Sequence, residues 1–409
     1  MHVENSETLD TTTPASKCGS FLEVLGVFAR LGLTSFGGPI AHLGYFRQEI
    51  VVRRKWLDGE EYADLLALCQ FLPGPSSSQM GIALGITRAG LWGGLAAWLG
   101  FTLPSALALT IFAYAATSLK GFTQSGFLHG LLIVAVAVVA QAVWGMATSL
   151  CPDRPRATIA IIAAITILLW PTAIGQILIM VLAGLFGWRF LRGTLTKSTS
   201  QLPLFLPRRL AVACWVIFIV LLLGLPVLHQ LTQNQPVALF DTFFRVGSLV
   251  FGGGHVVLPL LQREVVPVGW VTNDQFIAGY AAAQAVPGPL FTFSAYLGAV
   301  GKPVPGWPGT LIALVAIFLP SFLFVIGILP FWNRLRAIES FRATLSGVNA
   351  AVVGILLAAL YLPIWTSAIH APIDFALALF DFGILVIWKW PPWLVVLLSA
   401  LLGFGLSLL

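Results

Sequence analysis

Charge is what this chain lacks. Only 9% of its 409 residues are charged, where soluble domains carry about 25%. With 58% hydrophobic residues, that scarcity excludes a water-soluble globular protein and points to an integral membrane protein. Cysteine is scarce as well. Cys18, Cys69, Cys151 and Cys214 stand far apart, without metal-ligand spacing, and read as small apolar fillers or free thiols. No nucleotide-binding loop, metal cluster or nucleophile–base pattern occurs, so primary pumping and enzymatic catalysis lack support, and no cofactor or metal is expected. The net charge of +6 has no basic tract interleaved with aromatics behind it. That excludes a nucleic-acid partner and assigns the excess to loops on the cytoplasmic side of a membrane.

Long apolar runs are abundant. Residues 127–150, 210–228, 343–365 and 391–409 are each long enough to cross a hydrocarbon layer of about 30 Å as helices. Many tryptophans, Trp56, Trp92, Trp270, Trp307, Trp365 and Trp390 among them, fall near segment ends, as interfacial anchors do. Residues 1–20 are polar and rich in Ser and Thr; they lack the apolar stretch of a cleaved signal and read as a disordered tail.

The chain repeats itself. ARLGLTSFGGPIAHLGYFRQEI from Ala29 matches FRVGSLVFGGGHVVLPLLQREV from Phe244, pairing Arg30 with Arg245, Gly37-Gly38 with Gly252-Gly253 and Glu49 with Glu264. Farther on, Trp56 pairs with Trp270, Gln70 with Gln284, Pro73-Gly74-Pro75 with Pro287-Gly288-Pro289, and Pro104-Ser105 with Pro320-Ser321. The organisation expected is a tail (1–20), a first transporter repeat (21–190), a linker with one extra transmembrane helix (191–235) and a second repeat (236–409). Basic residues swap sides between the halves. Arg47, Arg53, Arg54 and Lys55 follow the first Gly-Gly motif, and only Arg263 follows the second. After the Pro-Ser helix the bias reverses, with Lys120 in the first half against Arg334, Arg336 and Arg342 in the second. Because basic loops mark one side of the membrane, the halves should be inserted upside down relative to each other, with 210–228 supplying the inversion. The expected fold is an all-α polytopic membrane protein: an inverted-topology repeat with broken, re-entrant helices, a common transporter plan.

Residues 60–72 and 76–88, on either side of Pro73-Gly74-Pro75, are too short to span, at about 20 Å each. Proline ends helices, so half-helices should meet inside the membrane with SFGGP (35–39) and LPGPSSS (72–78) at their tips. Irregular backbone survives at that depth only where protein or a water-filled cavity satisfies it, which makes the breaks the expected transport site. Helices starting there present unpaired N–H groups and a positive dipole end. Ser35, Ser76, Ser77 and Ser78 add hydroxyls, and glycine permits close approach. Arg30, in an apolar segment, is costly unless functional, snorkelling or paired with Glu23 or Asp64. Guanidinium, hydroxyls and amides together suit a small oxyanion. The expected substrate contacts are therefore Arg30, Ser35, Gly37, Gly38, Gln70, Pro73, Gly74, Pro75 and Ser76–Ser78, with Arg245, Gly252 and Gly253 in the second half. Gln70 also suits satisfying freed backbone groups. Candidates for coupling are His42, Asp64, His255 and Asp381. Asp64 also suits an ion pair with Arg88, and Asp381 shares a helical face with Asp374. Leu290-Phe291-Thr292 stands where the first half has three serines, so one principal site weighted to the first half is expected.

These strings resemble the chromate ion transporter family in its long, two-domain form. The resemblance rests on residues 28–46, 53–85, 100–109, 244–261 and 270–300 and covers nearly all the chain beyond the tail. It implies secondary transport of chromate, efflux through a bacterial inner membrane, chromate resistance, and sulfate as the structural look-alike. The alternatives are a sulfate or other inorganic-anion transporter and a passive anion channel. A proton is the candidate coupling ion, lipid surrounds the chain, and both a homodimer and a monomer are compatible with it.

Overall fold

A computed structural model of the protein describes residues 19–35, 38–118, 126–170, 172–191, 206–250, 257–332 and 338–406. All regular elements among the described residues are helical. Helix α1 (Phe21–Thr34) starts at Ser20, whose hydroxyl accepts from the Glu23 amide, and stops at Ser35, where the backbone turns extended. Helix α2 (Gly38–Arg47) runs into a wide π turn, Gln48–Arg53. Helix α3 (Gly59–Phe71) opens on a reciprocal cap between Asp58 and Glu61 and ends at Leu72. Helix α4 (Ser76–Ser118) loses helical geometry at Ala89 and Gly90. Its arms, 76–88 and 91–118, fold back on each other so closely that a Cβ on Gly85 would strike the Gly93 carbonyl.

Three contacts bring the outer ends of these half-helices to one face. The Gly19 amide donates to the Arg88 carbonyl at 3.0 Å. The Arg88 guanidinium pairs with Glu23 at 3.0 Å and lies 5.0 Å from the Trp56 ring centre. So α1 descends and α2 returns, then α3 descends and the first arm of α4 returns; the second arm crosses completely. The second half repeats this path with α9 (Gln235–Leu249), α10 (Val257–Val265), α11 (Asn273–Ala285), a tight turn Leu290–Thr292 leading into α12 (Phe293–Val300), and the crossing helix α13 (Trp307–Ile328).

The inversion is visible where the halves touch. Tyr114, toward the far end of α4, accepts a hydrogen bond from the Trp307 amide at 3.1 Å, where α13 begins. Trp98, near the opposite end, packs on Phe318 and Phe322 of α13 at ring-centre distances of 5.8 and 5.7 Å. The two crossing helices are therefore antiparallel, and the second pair of hairpins enters from the face the first pair does not use. Helix α8 (Arg208–Thr232) is the odd crossing that turns the second half over. It leans on α9 and α13 through Trp215, whose indole N–H donates to the Gly327 carbonyl at 3.1 Å. Most of its surface is left bare for lipid.

The remaining helices interlock. Helix α5 (Gly126–Leu150) of the first half packs against α15 (Pro372–Val386) and α16 (Pro392–Leu406) of the second. Reciprocally, α14 (Glu339–Ala359) packs against α6 (Arg154–Leu169) and α7 (Ala173–Phe190). Glycines let the backbones touch: a Cβ on Gly130 would lie 2.2 Å from the Ser399 carbonyl, and one on Gly347 would lie 2.1 Å from that of Ala183. Small residues at crossings are how helices associate where no hydrophobic force separates protein from lipid. Helix α16, with 15 residues, is shorter than the full crossing expected of 391–409, which needs about 20.

Candidate functional site at the crossed helix tips

The two Pro-Gly-Pro breaks meet the opposite half. Gly74 has φ +118° and Gly288 φ +106°, a region that side-chain-bearing residues avoid. The Gly74 amide donates to the Val250 carbonyl, at the end of α9, at 2.5 Å; the Gly288 amide donates to the Ser35 carbonyl, at the end of α1, at 2.9 Å. Each break thus answers the frayed end of the other half's first helix. The Pro-Ser positions complete the exchange. A Cβ on Gly74 would lie 3.0 Å from Ser321 Oγ, and one on Gly288 would lie 2.8 Å from Ser105 Oγ.

Around Gly74 the polar atoms outnumber their partners. Helix α4 begins at Ser76, so the amides of its first turn point toward the break without intrahelical acceptors. Ser77 and Ser78 are buried. Ser78 Oγ, Gln79 Oε1 and Ser321 Oγ have no partner among the described residues, and beside the second break neither does Ser35 Oγ. A buried polar atom left unpaired costs about 1–3 kcal/mol. The second tip is drier. Leu290 and Phe291 are buried there, and Thr292 spends its hydroxyl on the Pro289 carbonyl at 2.7 Å. His42 is buried under the first tip, its Nδ1 3.5 Å from Ser77 Oγ. Its ring stands edge-on to Phe101, which packs on Phe46 and, through it, on Phe28.

The paired arginines part company. Arg245 is clamped between Asp241 at 3.2 Å and Glu264 at 3.1 Å. Arg30 makes no ion pair among the described residues and is exposed. One turn earlier α1 carries Gly26 where α9 carries Asp241. Glu49, the mate of Glu264, is taken by Arg54 at 2.7 Å and Arg53 at 3.2 Å. Burial pushes the Glu49 carboxyl up, but those two guanidiniums hold it below the usual carboxylate range. Arg88 pairs with Glu23, because α1 and the first arm of α4 run antiparallel and bring residues 19–23 beside residue 88; the side chain of Asp64, its expected partner, lies outside the described residues.

Asp381 is fully buried, with the Ser399 hydroxyl of α16 beside its carboxyl. Asp374, two turns earlier, caps α15 by accepting from the His370 and Ala371 amides and meets His129 Nε2 at 2.8 Å. Neither carboxylate lies at the tips. Gly38 opens α2, while Gly37, Gly252, Gly253 and His255 lie outside the described residues, as do the side chains of Asp64 and Gln70. Two residues at the first tip escaped the sequence reading. Gln79 carried a signal, since its repeat mate is Phe293, a polar-for-apolar mismatch inside a duplicated string. Ser321 was visible only as a repeat marker; nothing in sequence puts it beside residue 74.

A family profile described as "Chromate transporter" matches the chain twice, over residues 22–188 and 237–404. The chain is 30% identical to a chromate transport protein of Pseudomonas aeruginosa over 363 residues, covering 86% of this chain and 83% of that one. It is 28% identical to a chromate transport protein of Cupriavidus metallidurans, over 84% and 83% of the two chains. An uncharacterized transporter of Methanocaldococcus jannaschii is 26% identical over 94% of each. No solved structure matches.

Proposed function

The chain belongs to the chromate transporter family, and on that premise we propose that it carries chromate outward across a bacterial inner membrane as a secondary active transporter, conferring chromate resistance. The observation that carries this reading is the set of buried, unpartnered hydroxyl and amide groups at the start of α4, where the chain breaks inside the membrane. Amide N–H groups at a helix start attract oxyanions, and Ser76, Ser77 and Ser78 extend the donor set. Arg30 lies one turn of α1 from Ser35, on a bare strip with Leu22, Gly26 and Leu33. A guanidinium without a carboxylate at this depth is tolerated where water or an anion reaches it, so that strip lines the approach to the tip.

The distribution of charge supports the outward direction. Traced helix by helix, the face from which the first hairpins enter holds Arg53, Arg54, Lys55, Arg88, Arg154, Arg156, Arg189, Arg208 and Lys389, against Arg263 and Lys302 on the other face among the described residues. Basic loops stay inside, so the donor-rich tip is loaded from the cytoplasm. Hairpins entering from opposite faces and bonded tip to tip give alternating access its two gates. A proton is the coupling ion we favour, with Asp381 and His42 as its carriers. Sulfate, tetrahedral with four oxygens like chromate, is the substrate of the alternative reading.

Radiolabelled chromate uptake into everted vesicles under an imposed pH gradient tests this. Arg30→Ala should lower uptake about 10- to 100-fold, as expected for loss of a charge-assisted hydrogen bond. Arg30→Lys should not restore it, since an ammonium offers no planar fork, and Cys69→Ala should leave it unchanged. Full uptake in Arg30→Ala would remove that residue from the path. No uptake by the unaltered protein would refute export.

A further inference from the structure

Gln79 is the odd member of the first tip. It is fully buried, and its Nε2 donates to the Pro73 carbonyl at 2.5 Å, which fixes the orientation of the carboxamide. The other end, Oε1, accepts nothing from any described residue. A Cβ on Gly74 would lie 2.6 Å from Gln79 Nε2 and 3.0 Å from Ser321 Oγ, so groups from both halves flank one point beside the start of α4. Ser78 Oγ and Ser321 Oγ, both buried, are unpartnered too. His42, on α2, is the titratable neighbour already described at Ser77, and Arg30 lies on the exposed strip of α1.

Amides and hydroxyls suit any oxyanion. A fixed, dry carbonyl oxygen does not. Facing an anion without a proton it sets lone pair against lone pair, and its own desolvation stays uncompensated. Facing a tetrahedral anion that keeps one O–H, it accepts that proton in a hydrogen bond. Sites that demand a substrate hydroxyl reject analogues lacking it far more strongly than shape alone allows. Chromate and sulfate share a shape but differ here: chromate holds its last proton until near neutrality, and sulfate loses its own in strong acid.

We propose that the Gln79 carboxamide, with Ser321 as the donor from the opposite half, selects tetrahedral oxyanions that carry a proton, so that hydrogen chromate is the bound species and sulfate is refused. This rests on the transport reading above, and it makes Gln79 and Ser321 specificity-determining residues of a site shared by the two halves.

The purified full chain in detergent, at one neutral pH, is titrated with phosphate and arsenate, which keep an O–H, and with sulfate and selenate, which keep none; the readout is thermal stabilisation. The same four anions then compete against labelled chromate in proteoliposomes. Phosphate and arsenate should act at concentrations at least about 5-fold lower than sulfate and selenate, the minimum expected for an unpaired buried acceptor. Gln79→Met, which keeps the length and drops the acceptor, should bring that ratio close to one. Ser321→Ala should weaken all four and preserve the ratio. Equal or reversed ranking in the unaltered protein overturns the proposal, as does the absence of stabilisation by any of the four. So does an unchanged ratio in a Gln79→Met protein that still melts cooperatively. Absent chromate flux would instead refute the transport reading, while the binding ratio still decides the role of Gln79.

Discussion

Gly74 and Gly288 combine a left-handed backbone with a serine hydroxyl 3.0 or 2.8 Å from where a Cβ would sit. Gly74→Ala should therefore cost about 1–3 kcal/mol through backbone strain alone, with displacement of Gln79 added to it. Melting in detergent measures the first effect and chromate flux the second; an unaltered melting temperature would show that the break relaxes freely. Proline and glycine act within a residue or two, so the breaks themselves were legible in the sequence. The serines facing them were not, because a contact between residues 74 and 321 exists only once two helices cross. Arg30 and Arg245 show the intermediate case. Identical in the alignment, they differ because position 26 is Gly and position 241 is Asp. The i, i+4 geometry of a helix turns that difference into one clamped guanidinium and one without an ion pair among the described residues.

At the scale of the element, half-helices were expected at 60–72 and 76–88, and they stand at Gly59–Phe71 and 76–88. Their lengths follow from where Asp58 caps and Pro73 stops. The fold-back at Ala89–Gly90 had weaker marks, because the surrounding residues stay helix-compatible through 118 and a single glycine does not announce a reversal. Caps offer a clean test. Asp153 precedes α6 and accepts from the Arg156 amide at 3.0 Å and from its guanidinium at 2.8 Å. The Arg156 hydrogen bond holds the Asp153 carboxyl below its ordinary value of 3.8. A carboxyl depressed in the folded state stabilises above its unfolded value and stops doing so as the pH falls through the folded one. Asp153→Ala should thus lower stability by about 1 kcal/mol at neutral pH, and the gap from the unaltered protein should close below about pH 4 in melting curves. A gap independent of pH would mean that the side chain acts by packing.

For the molecule as a whole, the swap of basic residues between the halves foretold the inversion, and the antiparallel crossing of α4 and α13 displays it. The exchange of partners among α5, α14 and the terminal helices was not foretold, because apolar helices carry little record of which neighbour they face. In a cysteine-free background, Lys55→Cys should react with an impermeant thiol reagent only from the cytoplasmic side. Lys302→Cys should react only from the outside; both positions are exposed. Reaction of both from one side would overturn the arrangement.

The crossed bonds from Gly74 to Val250 and from Gly288 to Ser35 have a consequence for energy rather than shape. Were the halves identical, the inward- and outward-facing forms would be mirror tasks of equal cost, and the resting protein would favour neither. Any preference must come from positions that differ between the halves, such as three serines against Leu290-Phe291-Thr292, or Gln79 against Phe293. Substitutions there should tilt the idle carrier toward one side of the membrane even when no cargo is present.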